Sequence, residues 1–352
     1  MALVHLVYAN VQFGVALDRL IGSYTRFAAG GFIFLAGLGV GVVFLPKANH
    51  PEKRLAAYRS LLVRAMYILG VQYLCSMGML VLEAFRGEVM PSNNALIIWK
   101  DVFLLREGGD LLPFYVVMIG LSPLLLELFR RGRGWMVMAI STTLFAIGRR
   151  HPWLFAVANH DNFPPILWQF IFVMGLGFGS IWKRYDALAR RGKLLIASGA
   201  WVIFALLFVS EYSSDFGWPR LNLGLSFSKV PLSGGETLRY LSMVLGILTT
   251  TDVLWPMLAS SPLVSFAQTL GRKSLWVYAA HLWVVELAGG LATAWWWMGR
   301  WQILFAAVTL AVLWVFAKKL ESRSDRPKPR RQSFALPVSL PVFGEASLGS
   351  LQ

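Results

Sequence analysis

Apolar residues in this chain come in long unbroken runs, and the short segments between them carry most of the charge. The clearest runs are Phe27–Leu45, Leu61–Phe85, Pro164–Trp182, Leu194–Ser210 and Ser274–Ala294. A helix crossing a bilayer needs about 20 consecutive apolar residues, whereas a helix on a soluble core needs only an apolar stripe. The pattern predicts spans at 1–17, 27–45, 61–84, 112–129, 134–148, 164–182, 194–210, 237–258, 274–294 and 301–317. The expected fold class is therefore all-α: a polytopic transmembrane helical bundle of about ten spans. The first and fifth spans are short, and 134–148 is the weakest of the set.

The charges test this topology independently, because Lys and Arg gather in cytoplasmic loops. With the N- and C-termini cytoplasmic, the inner segments hold 21 of the 33 Lys and Arg, and the outer segments hold 10. Deleting span 134–148 would put Arg149–Arg150 and the cluster at 183–193 on exchanged sides and spoil the alternation. The net charge of +15 is thus a consequence of topology, and no nucleic-acid partner is expected. Charged residues make up 14% of the chain, well below the roughly one quarter of a soluble domain. Met1–His5 has no basic region before its apolar stretch and does not read as a cleaved signal peptide. The single cysteine, Cys75, lies in an apolar run, so neither a disulfide nor a thiolate zinc cluster is expected, and no metal site is assigned. Trp295, Trp296, Trp297 and Trp301 cluster at an expected outer interface, where indoles anchor helices. Two regions result: a membrane domain at 1–317 and a basic, Pro-containing tail at 318–352, expected to be disordered in the cytoplasm.

Soluble-enzyme motifs are missing: no Walker-type loop, nucleophile elbow or His-Glu-x-x-His occurs. Gly37-Leu-Gly-Val-Gly41 and Gly175-Leu-Gly-Phe-Gly179 lie inside spans, where small residues let helices pack closely. The informative residues are polar groups at membrane depth, which are costly there and tend to face a cavity. His5 shares a helix face with Tyr8 and Gln12, and His281 shares one with Tyr278 and Ser274. A neutral imidazole can take the proton of a hydroxyl nucleophile, as acyl transfer to a sugar requires. The competing reading for each is a histidine hydrogen-bonded between helices. Asp252 sits near an inner span end, where it can snorkel or cap. On the outer side, Arg149 and Arg150 with Lys229 and Arg239 could bind an anionic or polyol substrate. Ordinary solvated charge is the alternative.

Several stretches carry a family resemblance. Gly30-Gly-Phe-Ile-Phe-Leu-Ala-Gly37, Gly109-Asp-Leu-Leu-Pro-Phe-Tyr115, Leu121-Ser-Pro-Leu-Leu-Leu126 and Trp168-Gln-Phe-Ile-Phe-Val-Met-Gly175 occur in that order. Lys229, Leu238-Arg-Tyr-Leu241 and Gly271-Arg-Lys-Ser-Leu-Trp-Val-Tyr-Ala-Ala-His281 follow. Together they resemble the OpgC family, over essentially residues 1–320, and the Tyr-x-x-His ending is similar to the wider acyltransferase-3 superfamily. The resemblance implies an acyltransferase of the bacterial inner membrane with no bound cofactor. Its donor would be an acyl-CoA such as succinyl-CoA, and its acceptor a periplasmic glucan or another glycan. His5 would then be the general base, with His281 and Tyr278 positioning substrate or polarising the acyl carbonyl. Outer-loop arginines would hold the glucan, and inner-loop arginines the donor's phosphates. The family pattern opens with Asp-x-x-Arg-Gly, an apolar run and a histidine. Val4-His5-Leu-Val-Tyr8 matches the end of that run, but the Asp and Arg have no counterpart in this sequence. Either translation begins further upstream or these residues are lost; the shortness of the first span favours the upstream start. A transporter or flippase, or a catalytically inactive membrane subunit, is the alternative function.

Overall fold

The computed structural model describes residues 15–86, 111–152, 154, 163–215, 217, 221–229, 231–294 and 302–324. The regular structure of the described residues is helical, with no strand among them. Helix α1 (Val15–Gly39) passes through a π-helical turn (Val40–Phe44) into α2 (Leu45–Asn49). Helix α3 (Pro51–Arg86) follows, then α4 (Leu111–Arg130), α5 (Gly134–Arg150), α6 (Pro165–Ser180) and the short α7 (Trp182–Asp186). The chain continues as α8 (Arg190–Tyr212), α9 (Gly234–Leu258), α10 (Pro262–Arg272), α11 (Ser274–Ala294) and α12 (Gln302–Ser324).

Every span expected from 27 onward coincides with a helix, including 134–148, which is α5. Among the described residues, five segments are long and apolar enough to cross a membrane: Phe27–Asn49, Pro51–Gly78, Leu111–Arg130, Arg190–Tyr212 and Gly234–Leu258. Pro165–Ser180 is apolar but shorter. Of the first expected span, residues 1–14 lie outside the described residues, as do the Trp295–Trp297 and Trp301 anchors. The boundary expected at 317/318 falls inside α12. There Lys318 Nζ stands 5.0 Å from the Trp314 ring and Arg272 pairs with Glu321 at 2.7 Å. The tail from 325 lies outside the described residues.

Side-chain contacts fix the polarity of the bundle. Gly37 meets Phe172 and Leu176 while Gly41 meets Leu176 and Gly179, so α1 and α6 run parallel. Gly30 against Tyr240 and Gly31 against Val244 make α9 parallel to α1. Trp201 hydrogen-bonds Thr250 while Arg239 bonds Tyr212, so α8 is antiparallel to α9. Tyr58 bonds Glu127 and Gly120 faces Ala65, which makes α3 antiparallel to α4. Ser141 with Gln169 and Gly148 with Ile166 make α5 antiparallel to α6. Tyr67 with Trp276 and Gly78 with Trp283 make α11 parallel to α3. The basic segments at 47–59, 130–133, 183–193 and 272–273 therefore gather at one end, called here the basic end. Arg149, Lys229 and the start of α9 lie at the opposite end.

Helix α6 is the centre of the bundle: Leu167, Trp168, Ile171, Phe172 and Leu176 are wholly buried, which requires a helix apolar all round. Helix α8 does the reverse and exposes Leu195, Val202, Ile203 and Leu206, a surface suited to lipid and costly in water. One polar bridge crosses the interior. Ser141 donates to Gln169 Oε1 at 2.6 Å, and Gln169 Nε2 donates to the Ser141 carbonyl at 2.9 Å. Gln169→Leu is expected to cost about 1–3 kcal/mol, since it strands a buried hydroxyl. Adding Ser141→Ala should recover part of that loss in thermal unfolding of the detergent-solubilised protein. Equal stability of the single variant and wild type would refute this account.

Candidate active site

A cavity of about 540 Å³ lies between α1 with its π turn, α3, α4 and the α10–α11 junction. Ligand pockets commonly fall between about 300 and 1,000 Å³ and combine apolar walls with a few placed polar groups. The walls here are residues such as Phe32, Leu35, Leu61, Ile68, Leu112 and Ile119. The polar side chains of the lining are Arg64, Ser274, Tyr115 and Tyr278. The lining of α1 and the π turn runs from Phe32 to Phe44, which is about 18 Å of helix rise. The cavity thus reaches from Phe44, Arg64, Gly271 and Ser274 at the basic end to Leu111 and Leu112 at the start of α4. Val40, Val43 and Phe44 of the π turn form part of this wall. Such turns widen a helix locally and recur at functional sites.

Helix α11 supplies the two residues singled out in the sequence, but it places them differently. Tyr278 lines the cavity. His281 is buried at 1% exposure, and its ring meets Tyr278 edge-on, 4.9 Å between centroids at 63°. Ala279 packs with Val71 and Cys75 of α3. His281, two residues on, is turned roughly 200° from Ala279 around the helix. It therefore stands on the side away from α3 and behind Tyr278. The cavity meets the phenol, and the imidazole braces it. His5 lies outside the described residues.

The four candidates at the opposite end are also separated. Arg149 and Arg150 are exposed and line a shallow depression of about 360 Å³ with Thr142, Phe145 and Ala146. Arg149 reaches the start of α9, where a methyl group on Gly234 would lie 3.3 Å from its Nη1. Lys229 holds its Nζ 5.7 Å from the Phe163 ring. Phe163 in turn packs on Trp168 at 4.8 Å, and Trp168 stacks on Tyr240 at 5.9 Å. Arg239 is enclosed, at 1% exposure. Its guanidinium pairs with Glu211 and Glu236 and donates to the Tyr212 hydroxyl at 3.3 Å. Arg149 and Arg150 are exposed and Lys229 is half-buried, whereas Arg239 is engaged by the protein's own carboxylates. At the basic end, Asp252 accepts from Tyr185 at 3.1 Å and pairs with Lys193 at 2.9 Å, tying α7 and α8 to α9. Burial, reinforced by that hydrogen bond, pushes the Tyr185 phenol well above its usual range.

The profile of the OpgC protein family matches residues 26–325. The chain belongs to the OpgC family. Neither the curated proteins nor the solved structures give a match. OpgC membership, with the apolar helices above, points to a membrane acyltransferase that modifies glucans. The matched region of this OpgC protein ends beside the last residue of α12, so it contains the whole described bundle from residue 26. Sequence reasoning missed several groups in it. Tyr115 of α4 lines the cavity, and Gln72 and Ser76 of α3 are wholly buried and hydrogen-bonded at 3.2 Å. Gln72 lies within a predicted span, and its polarity at that depth was the available signal. Tyr115 closes the family stretch Gly109–Tyr115, but a tyrosine near a span end does not by itself point to a cavity.

Proposed function

We propose that this OpgC protein transfers an acyl group from a cytoplasmic thioester, an acyl-CoA such as succinyl-CoA, to a hydroxyl of a periplasmic glucan or related glycan. The basic end would face the cytoplasm of a bacterial inner membrane, with about ten spans and both termini inside, following the charge distribution. The observation that carries the reading is the cavity reaching from the basic end to Tyr278, in a chain of this family. A donor entering from the cytoplasm could lay its thioester arm along the apolar walls. The glycan would approach from the opposite end and bind through Arg149, Arg150 and Lys229. His5 takes the proton of the acceptor hydroxyl, whose oxygen attacks the thioester carbonyl. The phenol of Tyr278 donates to the developing oxyanion, and the thiolate leaves and is protonated. Arg239 belongs to the frame of the acceptor side.

Mass spectrometry of periplasmic glucans from a strain lacking this gene tests the reading. Loss of an acyl mass is expected, restored by the wild-type chain and not by His5→Ala. Tyr278→Phe should restore it at a rate lowered by about 10²-fold, the usual effect of removing one oxyanion donor. Glucans of unchanged mass in the deletion strain would overturn glucan acylation and favour the transporter or inactive-subunit reading.

A further inference from the structure

The acyl-transfer reading puts the thioester carbonyl at Tyr278, and the cavity continues past that point. Tyr67 beside Trp276 and Ala65 beside Gly120 set Tyr278 and Tyr115 at one depth, near Gly70 of α3. Leu111 and Leu112 lie one turn further from the basic end, because α4 begins at the far end of the cavity. On α1, Phe32 and Leu35 stand roughly 12 Å or more along the helix from Phe44. The phenol depth is only about 9 Å from Arg64, which lies at the Phe44 ring. Phe32, Leu35, Leu111 and Leu112, with Ala36 at the entrance, therefore enclose a chamber beyond the reacting carbonyl. Among the described residues, every side chain lining this chamber is hydrocarbon. The charged and hydroxyl-bearing residues of the cavity, Arg64, Ser274 and the two tyrosines, stand at the phenol depth or nearer the basic end. Phe32 is 42% exposed and Leu35 46%, and both belong to the membrane-length segment Phe27–Asn49. The open side of the chamber thus faces lipid chains.

We infer that the acyl group this protein transfers is a short aliphatic one without a second charge, of the acetyl-to-butyryl kind, held in the chamber beyond Tyr278. The inference rests on the acyl-transfer reading and narrows its donor, since it disfavours the succinyl group that the family resemblance suggests. A succinyl group would carry its carboxylate past the carbonyl and into hydrocarbon. Among the described residues, no cation or hydrogen-bond donor lines the chamber to receive it, and an unpartnered charge at membrane depth is costly. Arg64 is on the other side of Tyr278, with its guanidinium at the Phe44 ring. A methyl group in place of the carboxylate gains from the same walls, by about three- to fourfold in affinity for each methylene buried. In the transfer, the bond between acyl carbon and sulfur breaks and the bond from that carbon to the glycan oxygen forms. The hydroxyl proton passes to His5, and the departing thiolate takes up a proton. The chain beyond the carbonyl keeps its charge state throughout, so what the chamber selects in the thioester it also selects in the ester product.

The test uses the full-length protein in nanodiscs, with acetyl-CoA, butyryl-CoA and succinyl-CoA as probes and glucans from the deletion strain as acceptor. Butyryl and succinyl groups have equal numbers of carbons and differ in a methyl against a carboxylate. Wild type should bind butyryl-CoA about tenfold tighter than acetyl-CoA, for two more buried methylenes. It should bind succinyl-CoA about a hundredfold more weakly than butyryl-CoA, the scale of a carboxylate's cost at membrane depth. Transfer to glucan should follow the same order. Ala36→Leu fills the entrance of the chamber and should abolish the advantage of butyryl-CoA over acetyl-CoA. Succinyl-CoA bound or used as well as butyryl-CoA would overturn the inference and leave acyl transfer standing, and that comparison needs no variant. A butyryl advantage that survives Ala36→Leu would also overturn it, since the acyl group would then lie elsewhere. If no thioester acylates glucan but the binding order holds, the selectivity of the chamber stands and only the acceptor proposed above falls. Failure of all three thioesters to bind would remove the donor and the inference together.

Discussion

Gly175→Ala should markedly lower the melting temperature of the solubilised protein, and Gly37→Ala should do the same. A Cβ at Gly175 would stand 2.1 Å from the Phe34 carbonyl oxygen, and one at Gly37 would stand 2.0 Å from the Phe172 carbonyl oxygen. Gly41 and Gly179 repeat the relation one turn on, at 2.7 Å from the Leu176 and Leu38 carbonyl oxygens. The obstructing atoms are backbone, so no rotamer change relieves the clash and the two helices must separate. Separation would loosen Ile33, Phe34, Ile171, Phe172 and Leu176, all 0–1% exposed. Overpacking usually costs about 1–3 kcal/mol, and a clash with rigid backbone belongs at or beyond the upper end. Gly199→Ala on α8 is the control. No atom lies within 4 Å of its Cβ position, and replacing a mid-helix glycine there should stabilise by up to about 1 kcal/mol. Equal melting temperatures for Gly175→Ala and wild type would show that the helices are not held at this spacing.

The glycines also show how far the sequence carried the fold. Their spacing inside two spans announced close packing, and packing is what they do. That α1 meets α6, in parallel, was not legible, because each motif needs only some backbone to approach. Span positions were legible because a bilayer demands continuous apolarity, while helix ends were not. The expected span 61–84 belongs to Pro51–Arg86, whose first turns are polar because they project into water, where apolarity no longer reports helix. Helix α10 was missed for a related reason: it has 11 residues, none buried, and apolar positions on one side only. A search for apolar runs does not register such a helix, although Ser261 before Pro262 is a start signal. At the site, polarity at membrane depth singled out Tyr278 and His281. Their division into cavity wall and brace depends on Val71, Cys75 and Leu112, which come from other helices. Arg64 and Phe44 gained meaning only when the turn at His50 brought α2 and α3 together.

Arg239→Met is expected to destabilise the protein by about 3–5 kcal/mol, because it removes a buried guanidinium that pairs with two carboxylates. Glu236 is 1% exposed and Glu211 13%, so water cannot replace the guanidinium at Glu236. Ser233 and Glu236 have the spacing of a capping box. Ser233 caps α9, accepting from Glu236 N at 3.4 Å, but the Glu236 carboxylate turns to Arg239. The start of α9 and the end of α8 are therefore joined through this arginine. Lysine should rescue only in part, since an ammonium cannot present the planar fork that engages Glu211, Glu236 and Tyr212 together. The triple change Glu211→Gln, Glu236→Gln and Arg239→Met removes all three charges and should recover most of the loss, since neutral replacements for a buried ion group are often nearly neutral in stability. Thermal unfolding followed by tryptophan fluorescence would measure the series, and glucan acylation would be measured beside it. A frame role requires stability and acylation to fall together in Arg239→Met and to return together in the triple variant. If Arg239→Met kept the wild-type melting temperature and lost acylation, the arginine would have to reach the substrate, and the enclosure by Glu211 and Glu236 would have to open during the reaction.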